Sequence, residues 1–347
     1  MQTQLPEQDK DGLSPVAAGL IGRCVHCGFC NATCPTYQLL GDERDGPRGR
    51  IYLIKQMLEG HAPTGRTQLH LDRCLTCRAC ESTCPSGVEY GKLVDIGREV
   101  LARRAPRPWL ERLRRRWLAS FLTSGAFAPL LRFGQWLRPA LPAALSARIP
   151  ARQPAGPWPQ PAHARRVLLL SGCVQPALSP DLNAATARVL DAVGISVVVA
   201  PGAGCCGALH QHLDQQEAAR DFARRNIDAW WPLVEAGAEA VVFNATGCGT
   251  QLADYGWLLR DDVAYAPRAA RIAALARDVS AILEPFAARL AQRLQNMAPE
   301  KVAFHAPCSL QHGLKSRGVV ESLLVAAGAT LTPVREPHLC CGSAGTY

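Results

Sequence analysis

The 347-residue chain has none of the long apolar stretches that mark membrane-spanning segments. A helix that crosses a bilayer needs about 18 or more consecutive apolar residues, and here Arg, Pro or Gly interrupts the longest runs. The first fifteen residues, MQTQLPEQDKDGLSP, also lack the apolar core of a signal peptide. We therefore expect a cytoplasmic protein with reduced thiols, and we expect any membrane contact to be peripheral.

Acidic side chains are in the minority, with 29 Asp and Glu against 38 Lys and Arg, and aromatic residues make up only 6% of the chain. Much of the arginine is concentrated between Arg98 and Arg116, where Trp109 and Trp117 are interspersed. No recognition module for nucleic acid accompanies this patch, so we predict no nucleic-acid partner. A helix over residues 103–122 either packs its aromatic side chains on the protein itself, which we favour, or lies in a membrane interface.

Cysteine, by contrast, is abundant: the chain has fifteen, and eight of them belong to one unit that occurs twice. GRCVHCGFCNATCPT (22–36) recurs as DRCLTCRACESTCPS (72–86). In bacterial two-cluster ferredoxins, Cys-x-x-Cys-x-x-Cys holds three corners of one cluster and the fourth Cys, before Pro, ligates the other cluster. The sequence therefore predicts two 4Fe-4S clusters, the first bound by Cys24, Cys27, Cys30 and Cys84 and the second by Cys74, Cys77, Cys80 and Cys34. Structural zinc, which usually takes two Cys-x-x-Cys pairs, would leave the third Cys of each triplet unexplained.

The pattern of apolar residues predicts a mainly helical first domain and an α/β region after it. Residues 51–60 and 90–104 have the periodicity of helices. From residue 166 the strands RVLLL, ISVVVA and AVVF alternate with helical segments, which is typical of a fold with parallel strands. VLLLSGC, ending at Cys173, is matched by VAFHAPC, ending at Cys308, and this indicates that the α/β domain is duplicated.

These patterns divide the chain into five parts. They are a helical ferredoxin-type domain (1–101), a basic linker rich in Arg, Pro and Trp (102–165), a first α/β domain (166–260), a helical connection (261–300) and an incomplete second α/β domain (301–347). The second copy stops six residues after Cys341, before the third strand that the first copy has. We therefore expect the natural polypeptide to continue beyond Tyr347.

The remaining seven cysteines follow the predicted strands of the two α/β copies. In each copy a lone Cys precedes a Cys-Cys-Gly triplet by 32 residues. Because the carboxyl ends of parallel strands meet at one edge of a sheet, we expect these cysteines to converge there. The first set is Cys173, Cys205, Cys206 and Cys248, and the second, incomplete set is Cys308, Cys340 and Cys341. They form a candidate site for a further metal or cluster.

Several basic residues near the cysteines have two interpretations. Arg48 and Arg50 either raise the potential of a cluster by placing positive charge beside it or belong to a solvated loop. Five histidines either supply ligands to the second cysteine set or are ordinary surface and core residues. They are His210, His212, His305, His312 and His338.

From about Ile21 onward the chain resembles the iron-sulfur subunit of bacterial glycolate oxidase. The resemblance rests on the duplicated cysteine run with GPRGRIYLIKQMLEG between its halves, and on SGCVQPALSP, NIDAWWP, ATGCG and CCGSAGTY. It implies a dicluster ferredoxin domain followed by two CCG cysteine-rich domains. It also implies that a separate flavoprotein subunit oxidises the 2-hydroxy acid, and that this chain carries the electrons toward quinone at the inner face of the cytoplasmic membrane.

More distant relatives offer two alternatives. The CCG site could itself be catalytic, as in heterodisulfide reductase or in the C subunit of anaerobic glycerol-3-phosphate dehydrogenase. The chain could also be a metal-binding scaffold or a redox sensor without enzymatic activity. We find no flavin site, no nicotinamide site and no Ser-His-Asp arrangement, and we predict no catalytic residue. CCG domains of the heterodisulfide reductase type end in Cys-x-x-Cys, whereas Ala245 precedes Cys248 here, which argues against a five-thiolate cluster.

Overall fold

A computed structural model describes residues 1–6, 12–160, 163–294 and 301–342. The end of the CCGSAGTY motif, residues 343–347, lies outside the described residues. The N-terminal part is helical, with short 3-10 turns at Phe29–Asn31 and Glu43–Asp45. Its helices are α1 (Leu13–Gly22), α2 (Pro35–Leu40), α3 (Pro47–Leu58), α4 (Gly65–Asp72), α5 (Ala79–Thr83) and α6 (Tyr90–Arg104).

Helices α3 and α6 form the centre of the N-terminal core and match the two helices predicted there. Helix α3 begins earlier than predicted because Pro47, with its fixed φ, suits the first turn of a helix, and the chain leaves the helix before Gly60, whose φ is +97°. The two helices approach closely at Gly97, where a Cβ atom would lie 2.6 Å from Cγ1 of Ile54. The two helices therefore pack against each other without space for a side chain at position 97.

The segment predicted as a basic linker at 102–165 contains the helix expected over 103–122 and further helices that were not predicted. The helices are α7 (Trp109–Thr123), α8 (Phe127–Leu137) and α9 (Ala143–Ser146), and residues 151–160 have no regular structure. Helix α7 is anchored by Arg107 and Arg115, which bind both Asp72 of α4 and Asp214. Arg107 Nη1 lies 2.6 Å from Asp72 Oδ2, and its Nε lies 2.7 Å from Asp214 Oδ2. The segment is therefore a structural bridge between the N-terminal helices and the α/β region.

The sequence favoured packing of the α7 aromatic side chains on the protein, and this was wrong for the two tryptophans, whereas Phe121 is half-buried and contacts Phe127. Trp109 and Trp117 are 65% and 62% exposed. The physical reason is that the inner face of α7 is occupied by Arg115 and by the buried Ala119, so that the tryptophans lie on the opposite side. Helix α8 has no buried residue, and its Trp136 is also exposed.

Residues 163–294 form an α/β fold around a parallel sheet in the order β2-β1-β3-β4. The strands are β1 (Arg165–Leu169), β2 (Ile195–Val198), β3 (Val241–Phe243) and β4 (Ala276–Asp278). The helices are α10 (Gln175–Leu178), α11 (Pro180–Ala192), α12 (Ala208–His212), α13 (Gln216–Glu235), α14 (Thr246–Ala253), α15 (Tyr255–Leu258), α16 (Ala266–Leu275), α17 (Val279–Leu283) and α18 (Ala287–Leu294).

Alternate residues of the strands pack on opposite sides of the sheet, as the pleat of a β-strand requires. Leu168 and Phe243 share one core with Trp230 of α13. Leu169 shares a second core with Leu190 of α11. Because helices cover both faces, the buried parts of β1 and β3 are continuous apolar runs, which is why VLLL and AVVF identified these strands from the sequence.

Strand β4 lies in the segment that was predicted as a purely helical connection, 261–300, and this part of the prediction was wrong. Ala276–Asp278 pairs in parallel with β3 and extends the sheet at its edge. Hydrogen bonding to β3 therefore overrides the helical periodicity of the surrounding sequence. The second copy forms a separate sheet of β5 (Lys301–Val302) and β6 (Thr330–Leu331), also parallel, with α19 (Val319–Ala326) between them.

The structure has no helix suited to crossing a membrane within the described ranges, since none combines the necessary length and apolar composition.

Candidate metal centres

The two cysteine runs have the same local backbone, which turns their thiols toward one side of each loop. Residues His26 and Gly28 of the first run are in the left-handed region, at φ of +61° and +87°. The equivalent residues of the second run, Thr76 and Arg78, have φ of +51° and +58°. Left-handed residues between successive cysteines bend the chain around a common centre. Gly28 accepts this conformation readily, whereas Thr76 and Arg78 do so at some cost in strain.

The first cysteine-lined cavity, which we call cavity 1, lies between the first run and the end of the second. Its cysteines are Cys24, Cys27, Cys30, Cys80 and Cys84. Cys34, which belongs to the first run, does not line it. The structure thus brings the first triplet together with Cys84 from the other run.

The second cysteine-lined cavity, cavity 2, has the reciprocal composition. Its cysteines are Cys34, Cys74, Cys77 and Cys80. The second triplet therefore surrounds a space that it shares with Cys34 from the first run. Cys80 and Tyr90 line both cavities, so the two spaces are immediate neighbours. The exchange of fourth ligands between clusters requires this grouping, and the ligand assignment remains a prediction.

The spacing of the cysteine sulfurs does not suit a single metal ion. Tetrahedral zinc with Zn–S bonds of about 2.3 Å brings its sulfurs to about 3.8 Å from one another. Among the residues that the structure describes, the one trio of ligand atoms mutually within 4.8 Å is Asp42, Asp45 and His70, which contains no cysteine. Asp45 in that trio already pairs with Arg73 and with His70. The wider cysteine cages fit a larger cubic cluster better than an ion.

Burial makes the cage thiols difficult to ionise without nearby positive charge. Desolvation raises the pKa of Cys30 to about 11 and the pKa of Cys77 to about 12, and it raises the pKa of Cys80 well above its ordinary value. Thiolates in this environment need cations that compensate their charge, and the irons of a cluster provide them. The donor set therefore fits 4Fe-4S clusters.

Two side chains direct hydrogen-bond donors at the sulfurs of cavity 2. The Nη1 atom of Arg50 lies 3.9 Å from Cys34 Sγ. Tyr90 donates its hydroxyl proton to Cys74 Sγ over 3.7 Å. Arg50 is fully buried, so of its two interpretations from the sequence the solvated loop was wrong.

Arg48 lies at cavity 1 and differs from Arg50 in its exposure. Its side chain is about one-third exposed and pairs with Glu43. Its backbone N–H donates to the Cys30 thiol, and its guanidinium packs against the Cys27–Cys30 loop, where a Cβ atom at Gly28 would lie 2.9 Å from Arg48 Nη1. The positive charge of Arg48 at cavity 1 is therefore more neutralised and better solvated than the positive charge of Arg50 at cavity 2.

A third and larger cavity of about 410 Å³, the CCG cavity, lies between the N-terminal helices and the α/β region. Its cysteines are Cys74, Cys77, Cys173, Cys205, Cys206, Cys248 and Cys308. The four cysteines of the first CCG set follow β1, β2 and β3, so they meet at the carboxyl edge of the sheet as the strand order predicts. Cys173 and Cys206 hydrogen-bond to Cys205 and thereby lower the pKa of that thiol, while the pKa of Cys173 is raised.

The second CCG set meets the first at Cys308, a contact that the cysteine spacing does not predict. Cys308 lines the CCG cavity together with the first set. Cys308 also hydrogen-bonds to Cys340, which lowers the pKa of Cys340 to about 6. Cys77 of the second ferredoxin-type run interacts electrostatically with Cys340, and Cys341 is exposed. The contact of Cys77 with Cys340 joins residues more than 200 positions apart, and no local pattern predicts such a contact.

Charged groups at the CCG cavity were also missed by reasoning from the sequence. Arg78 forms an ion pair with Asp254 and thereby ties the second cysteine run to the α/β region. Asp95 accepts a hydrogen bond from Gln211 Nε2 over 2.7 Å. Burial raises the pKa of Asp95 to about 6.

Of the five histidines singled out in the sequence, His212 is the one that lines the CCG cavity. Its Nδ1 atom is buried without a hydrogen-bond partner among the described residues, and burial lowers its pKa to about 4. His210 hydrogen-bonds to Thr123, and His305 and His312 bond to backbone carbonyls. These three therefore have structural roles.

Comparison with known proteins identifies both halves of the chain. Residues 21–88 match the model of the 4Fe-4S dicluster domain, and residues 167–253 and 302–347 match the cysteine-rich domain named CCG. A helical dicluster domain followed by a CCG region with a parallel sheet defines an iron-sulfur redox protein.

Similarity to individual proteins narrows this class to a family. The chain is 54% identical to the glycolate oxidase iron-sulfur subunit of Escherichia coli (strain K12), over all of this chain and 85% of that protein. It is 30% identical to the probable glycolate oxidase iron-sulfur subunit of Bacillus subtilis (strain 168), over 95% of this chain and 80% of that protein. Lactate utilization protein A of Exiguobacterium sp. is 27% identical over 52% of this chain. The chain belongs to the glycolate oxidase iron-sulfur subunit family.

Proposed function

We propose that this chain relays electrons from a flavoprotein subunit, on which a 2-hydroxy acid such as glycolate is oxidised, toward quinone. The observation that carries the proposal is the adjacency of cavities 1 and 2, which share Cys80 and Tyr90. Two redox centres in direct contact with the same residues are close enough to exchange electrons. The division into a ferredoxin-type domain and two CCG domains is part of this proposal.

The cysteines divide into three groups in this function. Cys24, Cys27, Cys30 and Cys84 hold cluster 1, and Cys74, Cys77, Cys80 and Cys34 hold cluster 2. When bound, each 4Fe-4S cluster supplies a centre that takes up and releases one electron. The CCG cysteines form a further metal site, with Cys173, Cys205, Cys206 and Cys248 as donors from the first copy and Cys308, Cys340 and Cys341 from the second.

The other residues of the chain position and insulate these thiols. Helices α3 and α6 supply buried walls: Ile51 of α3 lines cavity 1, and Tyr90 of α6 lines both cavities. Arg50 and Tyr90 direct N–H and O–H donors at sulfur, which stabilises the more negatively charged, reduced state of a cluster. The chain thus acts as a fixed scaffold for electron transfer, and we assign substrate oxidation to the partner.

Peripheral contact with the cytoplasmic membrane also belongs to this proposal, because quinone is dissolved there. Trp109, Leu113, Trp117 and Phe121 recur every four residues and form one stripe along α7. Arginines flank the stripe on both sides, namely Arg112, Arg114 and Arg116. An exposed aromatic stripe between arginines is typical of helices that lie in the interface of an anionic membrane.

The decisive experiment is reconstitution with the flavoprotein that copurifies with the chain. We expect glycolate-dependent reduction of a dye only when the flavoprotein and the iron-loaded chain are both present. Iron and acid-labile sulfide analysis is expected to give eight irons from the ferredoxin-type domain, with signals of reduced 4Fe-4S clusters by electron paramagnetic resonance (EPR). The flavoprotein alone is the control. The proposal would be contradicted if the chain contained zinc in place of iron, or if dye reduction did not depend on this chain.

A further inference from the structure

Cavities 1 and 2 differ in their access to solvent. At cavity 1, Cys27 is exposed, and the neighbouring Val25 and Phe29 are 68% and 62% exposed. The ring of Tyr52 on α3 lies 6.5 Å from the ring of His26 in the same loop and is also exposed. We call Val25, Phe29 and Tyr52 the outer face. It is a set of exposed apolar side chains at the mouth of cavity 1: Val25 lines the cavity, Phe29 lies between Cys27 and Cys30 in the same loop, and Tyr52 lies beside His26.

Cavity 2 is lined by buried and half-buried residues, and it shares a wall with the CCG cavity. Cys34, Cys74 and Cys80 are buried. Its second cysteine loop also forms a wall of the CCG cavity, since Cys74, Cys77 and Arg78 line both spaces. The three cavities therefore follow one another in a fixed order: cavity 1 at the surface, cavity 2 behind it, and the CCG cavity at the inner end.

The polar groups around cavities 1 and 2 differ in a way that favours electrons on cluster 2. Hydrogen bonds to cluster sulfurs and nearby positive charge raise the reduction potential of a cluster. Cavity 2 has the buried guanidinium of Arg50 beside Cys34 and the hydroxyl of Tyr90 on Cys74. At cavity 1 the corresponding cation, Arg48, is paired with Glu43 and partly solvated. An electron on cluster 1 is therefore expected to move inward.

We propose that the outer face is the docking surface for the electron-donating flavoprotein, and that electrons enter at cavity 1 and leave through the CCG cavity. This inference rests on the proposed function, because it assumes clusters in cavities 1 and 2. Oxidation of the 2-hydroxy acid on the partner releases two electrons and two protons. The protons pass to solvent, the electrons pass singly through this chain, and a quinone acceptor takes up two electrons and two protons.

We infer that a redox protein binds the outer face because cavity 1, with its exposed Cys27 thiol, lies beside that face. An electron donor must bring its flavin close to a cluster, and among the described cages cavity 1 is the one with an exposed thiol and an exposed apolar rim. The opposite side of cavity 2 is already covered by the α/β region through the Arg78–Asp254 ion pair. A membrane contact at this face would leave the donor without access to either cage.

The test uses the iron-loaded full chain with charge placed on the outer face. Phe29→Glu and Tyr52→Glu, separately and together, introduce a charge that a dry interface cannot accommodate. Val263→Glu is the matched control, because Val263 is 96% exposed and lies outside all three cavities. We expect the dissociation constant for the copurified flavoprotein to rise at least tenfold in the double variant and to stay unchanged in the control. Iron content and EPR signals are measured on every variant.

The outcomes separate this inference from the function on which it rests. If wild-type chain does not bind the flavoprotein, or contains no 4Fe-4S clusters, the proposed function fails and the docking surface with it. If wild type binds and the double variant binds equally well with its iron intact, the docking surface alone is overturned. Tyr52→Glu lies outside the cysteine loop, so it decides the question even if Phe29→Glu loses cluster 1. Finally, an EPR-monitored titration in which cluster 1 has the higher potential would overturn the inward direction.

Discussion

The guanidinium of Arg50 lies against the sulfur of Cys34, with Nη1 at 3.9 Å from Sγ, in a position from which solvent is excluded. Only 1% of Arg50 is exposed. Its Nε donates to the carbonyl of His70 over 2.7 Å, and its Nη2 faces Asp45. A buried cation is costly unless it has anionic partners. Asp45 partly supplies that charge, and the thiolates of a bound cluster would supply the rest.

The first prediction concerns the other donor at cavity 2. Tyr90→Phe removes the hydroxyl that donates to Cys74 Sγ, while the ring keeps its place in the core. A hydrogen bond of about 1 kcal/mol that favours the reduced state corresponds to roughly 40 mV for a one-electron couple. We therefore expect the potential of one cluster to fall by about that amount in an EPR-monitored titration.

The control for this prediction is Tyr52→Phe, which also removes a phenolic hydroxyl, but one that is exposed and bonded to Gln56. Its potentials are expected to match those of wild type. A shift in both variants, or in neither, would show that the Tyr90 hydroxyl does not act on a cluster.

The second prediction concerns the charge balance around Arg50. Asp45 is fully buried and pairs with Arg73 at 3.0 Å and with His70 at 3.0 Å. Asp45→Asn leaves the Arg50 guanidinium buried without its carboxylate, and breaking a buried pair in this way costs about 3–5 kcal/mol. We expect a marked fall in the midpoint of thermal bleaching of the cluster absorbance.

The exposed ion pair between Arg165 and Glu239 provides the comparison for Asp45. Glu239→Gln breaks a solvated pair, which contributes about 1 kcal/mol or less. Its bleaching midpoint is expected to change little. Equal effects of the two substitutions would contradict the view that Asp45 compensates a buried cation.

Elements with strong local patterns were predictable from the sequence. Helices α3 and α6 follow from apolar residues at helical spacing, with Gly60 as a stop signal. The strands β1 and β3 follow from runs of buried aliphatic residues. The grouping of the first triplet with Cys84 was predictable because in two-cluster ferredoxins the fourth Cys of each motif ligates the other cluster.

Features that depend on docking between distant segments were not predictable. The exposure of Trp117 follows from the contacts of Arg115 with Asp72 and Asp214, and no residue near Trp117 signals these contacts. Strand β4 forms because β3 offers a free edge, although its own sequence is helical in pattern. The meeting of Cys77 with Cys340 requires the second CCG copy to fold back on the N-terminal helices.

The third prediction tests the close approach of α3 and α6. Gly97→Ala places a Cβ atom 2.6 Å from Ile54 Cγ1, which requires one of the helices to shift. Overpacking of this kind costs about 1–3 kcal/mol. We expect a lower midpoint of thermal bleaching, and we expect partial recovery when Ile54→Val is added.

Gly19 in α1 is the matched control for Gly97, because it is helical and a Cβ atom there meets nothing within 4 Å. Gly19→Ala is expected to leave stability unchanged or to raise it by up to about 1 kcal/mol, since Ala has the higher helix propensity. A loss of stability at Gly19 similar to that at Gly97 would contradict the steric explanation.

The fourth prediction is a pH dependence that arises from Asp95 beside the CCG cavity. Its pKa is raised from 3.8 to about 6 by burial, so the folded chain binds this proton more tightly than the unfolded chain does. The stabilising effect of the proton is complete below about pH 4 and is lost as the pH rises through about 6. Asp95→Asn removes the ionisation. We expect it to be more stable than wild type at pH 7, by of order 1–2 kcal/mol, and to lose this advantage at pH 4.

Stability for this comparison is measured by thermal bleaching at pH 4 and pH 7. Asp221→Asn serves as the control, because Asp221 is exposed and pairs only with Arg224 on the surface of α13. An advantage of Asp95→Asn that is the same at both pH values would show that packing rather than ionisation is responsible.

The fifth prediction concerns the aromatic stripe of α7 and its continuation on α8. Trp117 stacks on the half-buried Phe121 at 5.2 Å, and Phe133 stacks on Trp136 at 5.9 Å, so that each helix presents at least one exposed ring of a stacked pair. Burial of one large apolar side chain in a membrane interface is worth about 1.5–3 kcal/mol, or tenfold or more in partitioning. We expect Trp117→Ser with Trp136→Ser to reduce sedimentation with vesicles of anionic phosphatidylglycerol at least tenfold.

The matched control is Trp158→Ser, since Trp158 is also partly exposed but lies in the irregular segment after α9. Binding of wild type is expected to weaken with added salt and with uncharged phosphatidylcholine vesicles, because arginines flank the stripe. Vesicle binding that is unaffected by the double substitution would rule out this surface as the membrane contact. If instead the double variant loses its affinity for the flavoprotein, the stripe on α7 and α8 is a protein interface, and the outer face at Phe29 is not the only place where the donor docks.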